Sequence, residues 1–160
     1  MSGFLVRPAR LGEEDVVLDL LAEAAAWLRS RGIEQWPPRF PEASVSAQIE
    51  AGEAFLVLRS AQPVATVAIT GADLWGDGEP AHYLSRLAVA RSSAGLGRRI
   101  LDWADARAAA AGRRYLRLAT TRDNPALRRY YERAGFRHVG DPPDARWPTS
   151  HYEREVTPRP

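Results

Sequence analysis

The 160-residue chain contains no cysteine and no lysine, so all 22 of its basic side chains are arginine. Without thiols there is no disulfide, no cysteine-ligated zinc and no thiolate nucleophile. Without lysine there is no Schiff-base or pyridoxal chemistry, and no ATP-binding loop whose lysine reaches the phosphates. Long apolar runs are also missing: no stretch approaches the ~18 residues of a membrane-spanning helix. The start, Met1 to Pro8, lacks the basic onset and long apolar stretch of a signal peptide. A soluble, cytoplasmic protein with no membrane partner is expected. The lack of cysteine does not itself choose a compartment. No repeat, low-complexity tract or long linker divides the sequence, and its 45% apolar and 26% charged composition suits one globular domain over residues 1–160.

What is present is unevenly spread. Residues 1–80 hold six arginines against twelve acids, and residues 81–160 hold sixteen against eight. A chain so polarised suggests that its second half meets an anion, whether nucleic acid, an acidic surface or a phosphorylated ligand.

Periodicity predicts a strand at Phe4–Arg7 and a helix over Glu13–Arg29, with Val17, Leu20, Leu21, Ala24 and Leu28 on one stripe. Three prolines within Pro37–Pro41 exclude regular structure there. A short helix over Val45–Ala51 follows. Ala54–Arg59 and Val64–Thr70 read as a hairpin, and His82–Ala90 as a long strand whose alternation places Tyr83, Ser85, Leu87 and Val89 on one face. A helix over Leu96–Ala111, striped by Leu96, Ile100, Trp103, Ala104 and Arg107, precedes a strand at Tyr115–Thr120 and a helix at Asn124–Ala134. Phe136–Val139 and His151–Val156 complete a mixed α/β layout on one sheet.

Chemistry concentrates in Leu87-Ala88-Val89-Ala90-Arg91-Ser92-Ser93-Ala94-Gly95-Leu96-Gly97-Arg98. Small residues at a strand-to-helix junction let backbone amides approach a diphosphate, and the helix dipole favours negative charge there. Alternatively, Gly95 and Gly97 simply make a tight turn. A dinucleotide-binding reading is disfavoured: the third glycine is missing, the strand is not the first, and Arg113 and Arg114 stand where an acidic ribose ligand belongs.

The second motif is Asn124-Pro125-Ala126-Leu127-Arg128-Arg129-Tyr130-Tyr131-Glu132-Arg133-Ala134-Gly135-Phe136, in which Asn124 and Tyr131 lie two helical turns apart on one face. Together the two segments resemble the GNAT superfamily of N-acetyltransferases, whose pattern joins a Leu-Ala-Val-type strand and a glycine loop to a later Asn-x₆-Tyr-x₃-Gly-Phe helix. The likeness is close over residues 82–140. It implies a single mixed, mostly antiparallel sheet of about seven strands with a splayed central parallel pair, flanked by about four helices.

The resemblance further implies that backbone groups of Leu87, Ala88 and Val89 hold the pantetheine arm of acetyl-CoA, and that amides of Ser92, Ser93, Ala94, Gly95, Leu96, Gly97 and Arg98 hold its pyrophosphate. Asn124 would touch the pantetheine or acetyl end, and Tyr131 would protonate the departing thiolate as general acid. The loop departs from the family's form: its usual Arg or Gln falls on Ser92, Arg91 comes one place early, and the loop is about two residues short. Arg91, Arg98, Arg99 and Arg128 are the basic residues nearest the motif.

An attacking amine must be neutral, so a base or water relay is expected. Some members carry a glutamate on this strand, where Tyr83 stands here. Glu79 and His82 are the nearest titratable candidates, with a solvated loop carboxylate and a strand-edge histidine as their structural alternatives. Trp36 and Trp75, among Glu34, Asp73, Asp77 and Glu79, are the candidate acceptor wall, suited to a cationic amine; the alternative is that both rings pack over the core. No spacing supports a metal site. The leading expectation is direct acetyl transfer from acetyl-CoA to a primary amine of a small molecule or peptide, with no nucleic acid partner and a homodimer as the family's common assembly. A non-catalytic acyl-CoA sensor or subunit is the alternative. A nucleic-acid binder is a third reading, weakened by arginines within pairing range of acids, as in Arg128 and Glu132.

Overall fold

Why the chain reverses where it does is clearest at the first hairpin. In the computed structural model, which describes residues 3–146 and 148–157, Ser60 and Ala61 have φ of +50 and +65. Two successive left-handed residues make a two-residue turn whose twist suits paired strands. They join β2 (Ala54–Arg59) to β3 (Gln62–Thr70), so β3 begins two residues earlier than its apolar run and Pro63 lies within it.

Before the hairpin come β1 (Leu5–Pro8), α1 (Glu14–Ser30) and α2 (Glu42–Glu50). α2 starts three residues ahead of its expected onset, because Pro41 supplies the extended cap and its carbonyl accepts from the Ser44 hydroxyl and amide. After the hairpin come β4 (Ala81–Val89), a short 3-10 turn (Arg91–Ser93), α3 (Gly97–Ala110), β5 (Tyr115–Thr121), α4 (Pro125–Arg133), β6 (Arg137–Gly140) and β7 (Thr149–Glu155). The strands form one seven-stranded mixed sheet in the order β1-β2-β3-β4-β5-β7-β6. β4 pairs with β5 in parallel, and β1–β2, β2–β3, β5–β7 and β6–β7 are antiparallel. The last strand therefore enters between β5 and β6, an order invisible in the chain's linear pattern.

Two compact units can be distinguished, residues 1–69 with 86–97 and residues 70–85 with 98–160. In the first, Val17, Leu18 and Leu21 of α1, Val45 and Ile49 of α2, Ala54 and Leu56 of β2, and Ala88 form one buried cluster. In the second, Leu116, Leu118, Tyr152 and Phe136 are buried together with Leu101, Ala104 and Ala108 of α3. The α3 stripe is thus rotated from the expected one: Arg107 is exposed, while Asp105 is buried and accepts from the Arg154 guanidinium at 2.9 Å and the Thr157 amide at 3.1 Å. A buried carboxylate with such partners is stable where an apolar stripe alone would reject it.

The β4 alternation also fails. Its parallel ladder to β5 comprises Ala81 through Leu84. Two residues on, Arg86 has φ of +52. A left-handed residue inside a strand interrupts the period of two, so Ser85 is exposed although Tyr83 is buried, and Ala88 is buried instead of Leu87.

Candidate active site

The first unit supplies the strand end and the glycine loop. Leu87 and Val89 are half-buried around buried Ala88, and the strand closes where the Ala90 amide donates to the Val64 carbonyl at 2.8 Å. The chain then tightens: the Ser93 amide donates to Ala90 and the Leu96 amide to Ser93. Those two amides are committed internally, and Ser93 and Leu96 are themselves buried. Gly95 has φ of +96 with open space where a side chain would project, so backbone conformation requires glycine there and crowding does not. α3 begins at Gly97 with no acid in its first turn. Because the first amides of a helix have no intrahelical acceptor, those of Gly97 and Arg98 are donors at its positive end. Ser92, Ala94 and Gly95 line the exposed part of the loop.

Arg91 is directed elsewhere. Its amide donates to Glu23 Oε2 at 2.9 Å and its guanidinium lies 4.2 Å over the Trp27 ring, so α1 anchors the turn through this residue.

The second unit supplies α4. Asn124 is its N-cap: the side-chain oxygen accepts from the Leu127 amide at 3.1 Å, and Pro125 occupies the first helical position. The side-chain amide nitrogen of buried Asn124 makes no hydrogen bond among the described residues. Tyr131 is buried, with Phe136 and Tyr130 packed edge-on at 5.7 and 5.4 Å between ring centres. Its hydroxyl has no hydrogen-bond partner among the described residues, and burial, reinforced by Tyr130, pushes its pKa well above the ordinary phenol value. The phenol is therefore protonated near neutral pH. Arg128 is engaged: its Nε donates to the Tyr152 hydroxyl at 2.9 Å, which in turn donates to Glu132 Oε2 at 2.9 Å. Tyr152 thus bridges the pair expected to meet directly.

His82 is 8% exposed, and its Nδ1 is buried with no hydrogen-bond partner among the described residues. Burial lowers its pKa, aided by Arg113 and Arg107, so the ring is neutral near pH 7. Those two arginines lie near it, and Gly71 lies close to its ring. Glu79 is exposed on its loop. Tyr83, at the strand position considered for a glutamate base, is buried; its hydroxyl accepts from Arg117 at 3.0 Å and donates to Asp73 at 3.3 Å.

Two acids of the expected wall, Asp77 and Asp73, are engaged within the second unit. Asp77 takes two hydrogen bonds from Arg117, at 2.9 and 2.7 Å, and its carboxyl pKa falls to about 2 through them. Asp73 accepts from the Gly76 and Gly78 amides as well as from Tyr83. Trp75 stacks on His151 at 4.3 Å and carries the Arg117 guanidinium 4.4 Å from its ring centre. Trp36, in the first unit, packs edge-on against Phe40 at 5.9 Å and against the buried cluster. Both tryptophans are half-buried.

The Acetyltransferase (GNAT) family model matches residues 20–136. The chain belongs to the GNAT acetyltransferase family. This GNAT chain is 35% identical over 117 residues to the uncharacterized N-acetyltransferase YesJ of Bacillus subtilis, a match spanning 65% of each protein. It resembles a GNAT-family acetyltransferase from Listeria monocytogenes with a TM-score of 0.80 at 26% identity, over 96% of this chain and 95% of that one. A spermidine N-acetyltransferase from Vibrio cholerae, solved with CoA and spermine, shares the fold with a TM-score of 0.74 at 12% identity, over 98% of this chain and 97% of that one.

Sequence reasoning missed two arginines of this GNAT chain. Arg117, 3% exposed between Leu116 and Leu118, binds Asp77, Glu153 and Tyr83 together. Its position inside an apolar strand was the available signal, since arginine is buried only when paired. Arg86 left no signal: nothing in a linear pattern marks a left-handed arginine in a strand.

Proposed function

We propose that residues 1–160 act as one acetyl-CoA-dependent N-acetyltransferase domain, transferring acetyl directly to a primary amine in a ternary complex. The observation that carries the reading is Tyr131, a buried tyrosine whose hydroxyl makes no hydrogen bond among the described residues and is held protonated, on the Asn-x₆-Tyr helix of a chain in this family. The family model takes in segments of both units, which supports one domain. The names of YesJ and of the Vibrio enzyme support amine acetylation with CoA as carrier. The cytoplasm is part of the same proposal, because acetyl-CoA is an intracellular metabolite.

The roles follow from chemistry. The amides of Gly97 and Arg98 at the start of α3, with Gly95 beside them, receive the pyrophosphate. The Leu87–Val89 backbone holds the pantetheine arm. The neutral amine attacks the thioester carbonyl carbon, a C–N bond forms, and the C–S bond breaks. Tyr131 gives its proton to the departing sulfur, which stabilises the charge developing there. The proton lost by the amine leaves to water, and Tyr131 is reprotonated from it. The Asn124 side-chain nitrogen is free to donate to the acyl or pantetheine carbonyl.

The test is release of free CoA thiol with an amine panel; the chain's lack of cysteine removes protein background from a thiol reagent. Tyr131→Phe should lower kcat about 10²- to 10⁴-fold, while acetyl-CoA affinity and melting temperature stay near wild type, since the hydroxyl makes no hydrogen bond. Tight acetyl-CoA binding without turnover on any amine would favour the sensor reading instead.

A further inference from the structure

Three of the arginines drawn from water in this protein are given carboxylates. Arg117 has Asp77 and Glu153, Arg154 has Asp105 and Asp102, and Arg7 has Glu13. Arg86 departs from this pattern. It is half-buried, and its Nη1 donates to two neutral oxygens of α2, Ser44 Oγ and Gln48 Oε1, both at 3.2 Å. Its Cζ lies 4.1 Å over the Phe40 ring, which Trp36 supports edge-on. Burial lowers the Arg86 pKa and no carboxylate opposes that shift.

The guanidinium is therefore fixed by a ring beneath it and two hydrogen bonds at one nitrogen. Its Nε and Nη2 make no hydrogen bond to any described residue. That edge presents the two parallel N–H groups that bind a carboxylate in a fork. The backbone carries a second cost at the same residue, its φ of +52. Strain and an uncompensated, desolvated charge at one position mark a site kept for a ligand.

We infer that the amine acceptor also carries a carboxylate, as an amino acid does, and that the open Nε and Nη2 edge of Arg86 binds it. The inference rests on the acetyltransferase reading above and names the acceptor class for it. Arg86 immediately precedes Leu87–Val89, the backbone assigned to the pantetheine arm, so the anion fork and the acyl carrier share one strand. A purely cationic acceptor is disfavoured on two counts. Arg86 repels it, and the Asp77 carboxylate is already paired with Arg117. One guanidinium with neutral neighbours suits a monoanion such as a carboxylate better than a phosphate dianion, which calls for more N–H groups.

The experiment compares amino acids with their decarboxylated amines, for example phenylalanine with phenethylamine and ornithine with putrescine, by thiol release. The carboxylated member of at least one pair should show the higher kcat/KM. Arg86→Gln should raise KM for it about 10- to 100-fold, the usual weight of hydrogen bonds to a charged group, with acetyl-CoA KM unchanged. Arg86→Lys should restore part of the loss. Preference for the decarboxylated amine in every pair, or equal loss for both members in Arg86→Gln, would overturn the inference and leave the acetyltransferase standing. If no amine is turned over, the acetyltransferase reading fails by itself. Calorimetric titration of the same pairs in the presence of CoA then reads the fork: binding of the carboxylated member that is lost in Arg86→Gln sustains it, and no binding or unchanged binding refutes it. If Arg86→Gln does not fold, Ser44→Ala combined with Gln48→Met frees the guanidinium without altering β4. That variant should lower the same selectivity, and unchanged selectivity would refute the inference.

Discussion

Replacing Arg117 by methionine is expected to be the most destabilising single charge removal in the second unit. The side chains of Arg117 and Glu153 are 4% and 7% exposed, so the change strands a buried carboxylate. Removing one partner of a buried pair costs about 3–5 kcal/mol. Arg137, 3.0 Å from Glu153 but 72% exposed, remains to screen the acid, which places the loss near the lower end, about 3 kcal/mol. For a chain of this size each kcal/mol moves the melting temperature about 2–4 °C, so a fall of roughly 6–12 °C should appear by calorimetry or circular dichroism. Arg39→Met is the matched control. Its partners Asp15 and Asp19 are 80% and 73% exposed, and such pairs are worth about 0–1 kcal/mol, a shift of about 4 °C at most. Adding Glu153→Gln to Arg117→Met should recover most of the loss, since the stranded charge is then gone. A fall no larger than in Arg39→Met, or no recovery in the double variant, would refute the assignment of Arg117 as a buried, obligatorily paired charge.

Asn124→Ala should cost about 1 kcal/mol through the lost cap on α4, lowering the melting temperature about 2–4 °C, whereas Asn124→Asp should keep the cap; equal effects of the two would contradict the capping role. The neutral, buried state of His82 makes stability pH-dependent. Its folded pKa lies below its unfolded value, so the unfolded chain binds the proton more readily. The stabilising contribution is therefore full above about pH 6.5 and is lost as pH falls from there toward the folded pKa. His151 is lowered the same way, by burial first and then by Arg117. Melting temperatures from pH 8 to 5 should accordingly fall more steeply for wild type than for His82→Gln, and parallel curves would show that His82 titrates alike in both states.

Short-range features of the fold were legible in the chain. Pro125 after Asn124 marked the start of α4, Gly95 marked a left-handed turn, and the apolar stripe of α1 marked the face that meets α2 and β2, because capping, φ and helical period depend on neighbours within a turn or two. The two motif segments also carried the family. Less was legible about side-chain partners. The acids at 73 and 77 read as a wall for a cation, but Arg117, forty residues from Asp77, consumes one, and nearby amides with Tyr83 consume the other.

The all-arginine composition, the GNAT motifs and the element order were thus determined by the sequence itself. Tertiary structure alone decided which arginines are neutralised. Ion pairing depends on distances between residues remote in the chain, and on a dielectric that exists only once the sheet and helices exclude water. Arg117 and Arg86 are the same residue type on neighbouring elements of the fold. One is paired with carboxylates and holds a loop, and the other meets Ser44, Gln48 and Phe40 with no carboxylate partner among the described residues.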